Sequence, residues 1–136
     1  MNFVIDPRLA AESHPLGTLS LCEVLLYDDT RFPWLVLVPR KENLVEIIDL
    51  SDGERTMLMD DITDASRALK TLTDCHKLNV AALGNQVRQL HVHVIARFEH
   101  DPAWAGPVWG KGARVPYEQA ARDDLTKKLQ TALQLG

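Results

Sequence analysis

The sequence predicts a single α+β domain built on an antiparallel sheet. Three observations carry this: the run Trp34–Leu35–Val36–Leu37–Val38 closed by Pro39, a capped amphipathic helix starting near Ser51, and apolar strands joined by turns too short for crossover helices. The 136 residues, 46% hydrophobic and 25% charged, suffice for one core and leave no room for a second. That core spans about residues 3–98, and 99–136 form a C-terminal loop and helix. A formal charge of -4 argues against wrapping long nucleic acid, which requires a basic face to displace counterions, but leaves room for a small phosphate. No apolar run approaches the ~20 residues of a membrane span, and Asp6, Pro7 and Arg8 interrupt any signal-peptide core, so a cytoplasmic protein is expected. Cys22 and Cys75 lack a CxxC pattern and read as free buried thiols.

Asp6–Pro7 fits an N-cap followed by proline at the first helical position, giving one or two turns through Leu9–Ala10–Ala11 before Pro15 and Gly17. Alternation from Leu19 into Leu25–Leu26 predicts a strand, Asp28–Asp29–Thr30 a turn, and Trp34–Val38 a central strand paired to the previous one. Glu46–Leu50 is expected to add a short strand.

Ser51–Asp52–Gly53–Glu54 has the spacing of a capping box, so a long helix follows. Leu58, Ile62, Ala65, Leu69 and Leu72 form its apolar stripe, and Asp60, Asp61, Asp64, Arg67 and Lys70 its opposite face. Met57 and Met59 read as core filler or surface. Leu78–Ala82 predicts a fourth strand, Leu83–Gln86 a turn, and Val87–Phe98 a long fifth strand. Asp101–Gly112 reads as a loop, within which Trp104 and Trp109 are expected to pack, the alternative being that they cover a neighbouring subunit or one end of a ligand. Tyr117–Leu135 reads as a terminal helix with Ala121, Leu125, Leu129 and Leu133 on one side.

Within QLHVHVIAR, residues 89–97, strand alternation puts Gln89, His91 and His93 on one face and Leu90, Val92 and Val94 on the other. Three chemistries suit that polar row. The imidazoles can simply be hydrogen-bonded; His-x-His can supply two zinc ligands, for which a third is not evident; or an imidazole can attack phosphorus and form a labile phosphoramidate.

Gln89–Leu90–His91–Val92–His93–Val94–Ile95 resembles the signature of the histidine triad (HIT) nucleotide hydrolases and transferases, with glutamine in the first histidine position. The resemblance extends through Leu25–Asp29, Leu35–Pro39, Asp49–Leu50, Asn79 and Gly84–Val87. The stretch into Arg97–Phe98, Asp101–Trp104 and Gly106–Gly110 is similar to a bacterial branch often labelled diadenosine tetraphosphate hydrolase. It implies a HIT-like antiparallel five-stranded sheet with a long helix and a C-terminal helix, and a two-fold homodimer with sheets joined edge to edge.

It also implies a nucleotide phosphohydrolase or nucleotidyl transferase acting on dinucleoside polyphosphates or nucleoside phosphoramidates through a covalent nucleotidyl-histidine. His91 would be the nucleophile, and His93 would bond the phosphate or bridging oxygen. Asn79, Gly84, Asn85 and Gln86 would hold nonbridging oxygens, and Asp28 would accept ribose hydroxyls. Arg88 and Arg97 can attract phosphate or stay solvated. No metal is required at the nucleophile, although a divalent cation can accompany a polyphosphate. Gln89, and Trp34–Leu35 where the family commonly has a further histidine, imply a rebuilt support beneath the nucleophile. An amide still hydrogen-bonds but carries no charge near neutral pH, so weaker or altered turnover is expected. The alternative is a nucleotide-binding or regulatory module with little turnover.

Overall fold

A computed structural model describes residues 3–135. Its elements in chain order are α1 (Pro7–Ala11), β1 (Ser13–Thr18), β2 (Cys22–Tyr27), β3 (Trp34–Pro39), α2 (Asp52–Thr73), β4 (Lys77–Ala81), β5 (Val92–Arg97) and α3 (Gln119–Ala132). The five strands form one sheet in the order β1-β2-β3-β5-β4, with every neighbouring pair antiparallel. The α+β class and the five-stranded sheet therefore stand as expected.

Both central strands, β3 and β5, are buried along their whole length. On one face Leu35 and Leu37 of β3 and Val92, Val94 and Ala96 of β5 pack against Leu58, Ala65 and Leu69 of α2, Leu129 of α3 and Leu133 at the end of α3. On the other, Trp34, Val36, Val38 and Ile95 are covered by Leu9 of α1, by Phe3 and Ile5, and by Ala103 and Val108 of the C-terminal loop. The sheet is thus the middle layer of three.

The helix starts follow their capping chemistry. Asp6 accepts the Arg8 amide ahead of Pro7. At α2, Glu54 N–H donates to Ser51 Oγ at 3.2 Å while Ser51 N–H donates to Glu54 Oε1 at 2.8 Å, the reciprocal pair of a capping box.

Several expectations are corrected. Pro15 and Gly17 do not end local structure but lie within edge strand β1, where a missing N–H is tolerated and the register shifts at a bulge. Gly17 has φ +147°, and an added Cβ would stand 3.2 Å from Leu135, so its bareness lets the chain end close over β1. Within Glu46–Leu50, Ile47–Asp49 is a 3-10 turn, not a strand, held by Glu46 N–H donating to Asp49. The second strand begins only at Cys22, the fifth runs from Val92 to Arg97, and the last helix from Gln119 to Ala132. Cys22 and Cys75 are buried and free, and Met59 is exposed.

Leu72 leaves the core, whereas Asp61 is 1% exposed. Its carboxylate faces the β1–β2 turn and accepts the N–H groups of Ser20, Leu21 and Cys22 at 3.2, 2.9 and 2.9 Å, and the Ser20 hydroxyl at 2.6 Å. The turn thereby satisfies its buried donors on a helix of the opposite layer. Asp61→Ala leaves these donors unpaired and is expected to lower unfolding stability by roughly 3 kcal/mol or more. Urea denaturation measures it; a change within about 1 kcal/mol would mean that this carboxylate does not hold the turn.

Candidate functional site

The site lies on the sheet face opposite α2 and α3, where β3 and β5 run side by side. Val36 opposes His93 and Trp34 opposes Ile95, so Trp34 and His93 are diagonal neighbours on one face. The indole Nε1–H of Trp34 donates to His93 Nδ1 at 2.9 Å. His91 precedes the strand, yet its ring stands edge-on to His93 with centroids 4.9 Å apart. His91 Nδ1 is 2.7 Å from the Gln89 carbonyl oxygen.

These contacts fix the protons. A carbonyl only accepts, so neutral His91 carries its hydrogen on Nδ1 and a lone pair on Nε2; an indole only donates, so neutral His93 carries its hydrogen on Nε2. Neither Nε2 has a partner among the described residues, and no buried side-chain nitrogen or oxygen there lacks one, so neither Nε2 is sealed in the interior, and both rings line one cleft. Burial, and then the neighbouring His91, push the His93 imidazole down to about 3. His93 is therefore neutral at any ordinary pH.

The cleft has a volume of about 360 Å³. Its floor is His91 and His93, and one wall is the loop Leu83–Val87. Leu9, Tyr27, Trp34 and Trp109 form an apolar and aromatic wall, with Tyr27 4.2 Å and Trp109 5.8 Å from Trp34 between ring centroids. Gly84 sits at φ +75°, a left-handed turn that favours glycine. The loop is tied to α1 by Arg8 Nη1, which donates to the Gln86 carbonyl at 3.0 Å.

The structure gathers His91, His93, Gly84, Asn85 and Gln86 around this cleft, and places the other candidates elsewhere. Gln89 turns aside: its Oε1 accepts the Asp6 N–H at 2.8 Å and its Nε2 donates to the Val4 carbonyl at 2.9 Å. Asn79 accepts Arg97 Nη1 at 2.8 Å on the other side of β5 from β3. Asp28 accepts the Tyr117 amide at 2.9 Å and Arg114 Nη1 at 3.3 Å, which ties it to the chain segment before α3. Arg97 is neither solvated nor offered to phosphate, since it is 2% exposed and bound twice by Asp101. Leu35 lies in the helix-side core, so the position with consequences for the imidazoles is Trp34.

One residue goes beyond the sequence reading. Glu12 is the carboxylate that lines the cleft, where it accepts the Tyr27 hydroxyl at 3.1 Å. Burial, followed by this carboxylate, raises the Tyr27 phenol to about 12, so it stays a neutral donor. Only the position of Glu12 at the end of α1 hinted at it. Trp109 is 37% exposed and lines the cleft 5.1 Å from the His93 ring centroid, so packing accounts for only part of its surface. Trp104 instead lies under the Arg97 guanidinium at 5.8 Å. No group of three His, Cys, Asp or Glu side chains among the described residues is arranged to hold a metal ion.

The HIT domain profile matches residues 8–100. No curated protein matches the chain. Among solved structures, a histidine triad protein of Sinorhizobium meliloti 1021 is 41% identical with a TM-score of 0.94, over 96% of this chain and 97% of that one. One from Bradyrhizobium japonicum is 43% identical with a TM-score of 0.94, over 96% and 98%. A third, from Marinobacter aquaeolei VT8, is 44% identical with a TM-score of 0.94, over 97% and 96%. Sequence profile, fold and paired imidazoles agree, and the chain belongs to the HIT domain family.

Proposed function

We propose that the protein is a nucleotide phosphohydrolase or nucleotidyl transferase in which His91 attacks the α-phosphorus of a nucleotide. The observation that carries this reading is the complementary pair of tautomers: His91 offers a lone pair on Nε2 while His93 beside it offers an N–H. A nucleophile and a hydrogen-bond donor for a phosphate oxygen are the two groups that nucleotidyl transfer to an imidazole requires. The Gln89 carbonyl stabilises the charge that His91 gains on attack, because the ring then carries a full positive charge while its Nδ1–H still donates.

The rest of the cleft suits the remaining parts of a nucleotide. Gly84, Asn85 and Gln86 line the same cleft as the imidazoles, and their backbone amides are suited to hold nonbridging oxygens. Leu9, Tyr27 and Trp109 offer an apolar and aromatic surface to a base. Glu12 takes the role of ribose acceptor, since Asp28 is already engaged by Tyr117 and Arg114. Substrates of this form are dinucleoside polyphosphates or nucleoside phosphoramidates, with a divalent cation accompanying the phosphates where it is needed. A cytoplasmic homodimer joined at β4, the strand at one edge of the sheet, belongs to the same reading.

His91→Ala is expected to lower nucleoside monophosphate release by at least about a thousandfold, with nucleotide affinity kept within a few-fold. Rapid quench of the wild-type protein, followed by mass spectrometry, is expected to find one nucleotidyl group on His91. Unchanged turnover in the variant would move the nucleophile elsewhere. Saturable binding without turnover in the wild type would instead make the protein a binding module.

Glu12→Gln is expected to raise KM for a ribonucleotide substrate by about tenfold while leaving its 2′,3′-dideoxy counterpart unchanged. Steady-state kinetics on the two substrates give the comparison, and equal effects on both would remove Glu12 from sugar recognition.

A further inference from the structure

An indole has one polar hydrogen and no acceptor. Trp34 spends that hydrogen on His93 Nδ1 inside the protein, where Trp34 is 4% and His93 7% exposed. The indole cannot swing away, because it is wedged among Tyr27 at 4.2 Å, Trp109 at 5.8 Å and Phe32 at 6.4 Å between ring centroids. A proton added at His93 Nδ1 would meet the indole hydrogen head-on. Proton loss from Nε2 would leave an imidazolate, a base far too strong to form in water.

We propose that Trp34 is a positioning residue that restricts His93 to hydrogen-bond donation and denies it proton transfer, so that the site expels leaving groups that depart as weakly basic anions and disfavours those that must first be protonated. The inference rests on His91 as the nucleophile and narrows the substrate class. Burial, then the neighbouring His91, hold His93 neutral, and the ionisable groups facing it in the cleft are His91, Glu12 and Tyr27.

With a phosphoanhydride, the Nε2 lone pair of His91 forms the N–P bond. The bond from phosphorus to the bridging oxygen breaks, and its electron pair leaves on that oxygen. The released nucleoside phosphate bears this charge itself, with a hydrogen bond from His93 and no proton transferred. Water then attacks phosphorus, the N–P bond returns its pair to Nε2, and the water's proton passes to solvent. With a phosphoramidate, the departing pair would sit on an amide anion unless the nitrogen gained a proton, and His93 cannot release its Nε2 proton without becoming an imidazolate.

The test is kcat/KM for two nucleotidyl donors that share one nucleoside, a dinucleoside polyphosphate and an alkyl phosphoramidate, on wild type, Trp34→Phe and Trp34→His. Wild type is expected to favour the phosphoanhydride by at least about a hundredfold, the range that general acid catalysis spans. Trp34→His, whose ring can take up and pass on a proton, is expected to narrow the ratio to within about tenfold and to add a pH-dependent limb to phosphoramidate cleavage. Trp34→Phe keeps an aromatic side chain but removes the N–H, and separates loss of that donor from gain of an ionisable ring. The ¹⁵N resonances of His93 provide a readout independent of turnover: Nε2 protonated and Nδ1 unprotonated from pH 8 to pH 5 in the wild type, with both tautomers populated in Trp34→Phe.

Equal wild-type rates on the two donors, or a doubly protonated His93 at pH 5, would overturn the proposal. If neither donor turns over, the reading of His91 and the leaving-group preference fall together, while the nitrogen resonances still decide the role of Trp34.

Discussion

The burial of β5 on both faces is the constraint from which the rest of the structure follows. The strand lies between β3 and β4 and all six of its residues are buried. Val92, Val94 and Ala96 satisfy the helix side with simple aliphatic packing. The opposite side then carries His93, Ile95 and Arg97 by alternation, so two polar side chains enter an enclosed layer. Buried polar groups need partners, and the covering segments supply them. Trp34 from β3 serves His93, while Asn79 from β4 and Asp101 and Gly106 from the C-terminal loop serve Arg97. The second layer is therefore more than a lid on the sheet. It is the means by which a charge and an imidazole can stand inside one.

Arg97 links this architecture to the cleft. Its Nε and Nη2 donate to the two oxygens of Asp101 at 2.8 and 3.0 Å, and Nη2 reaches the Gly106 carbonyl at 2.8 Å. Burial alone would raise the Asp101 carboxyl, but donors from Arg97, Phe98 and Ala103 hold it at about 2. A pair so enclosed adds little net stability over a well-packed apolar replacement, because desolvation offsets the attraction. What it contributes is position. It fixes the course of the loop after β5, which brings Trp109 to 5.1 Å from the His93 ring centroid. One wall of the cleft thus inherits its place from an ion pair with no chemical part in it.

Local chemistry made much of this legible in the sequence. The capping box at Ser51, the apolar run of β3 and the His-x-His spacing each reflect neighbours within a few residues, and each holds in the structure. What escaped depends on partners distant along the chain. Asp28 looked free to meet a ribose because Tyr117 and Arg114 are more than 80 residues away. Asp61 fell on the polar face of α2 by periodicity, but four donors at the β1–β2 turn draw it inward. Pro15 and Gly17 read as breakers because an edge strand, which tolerates both, cannot be told from a loop by composition. The strand containing His93 starts only at Val92, so alternation did not govern Gln89, whose side chain departs toward the N-terminal segment. At Trp34–Leu35 the parity of β3 decides: Leu35 and Leu37 face the helices, and Trp34 and Val36 face the imidazoles.

Gln89 and Trp34 then take on one physical sense. Gln89 gives one hydrogen to Val4 and takes one from Asp6, which anchors the segment leading into α1 and hence the Leu9 and Glu12 side of the cleft. Trp34 gives its hydrogen to His93. Neither side chain titrates near neutral pH, so the hydrogen-bonding role of each does not vary with it. A polyphosphate carries several negative charges, and its arrival raises the proton affinity of any imidazole beside it. A protonated His91 would lose the lone pair that the proposed reaction needs. Ionisable neighbours would answer the substrate's charge by taking up protons themselves and passing them toward the nucleophile. Neither Gln89 nor Trp34 can do so, because each gives a hydrogen to a group within the protein and takes up no proton near neutral pH, and on the proposed reading no proton reaches the lone pair of His91 through them.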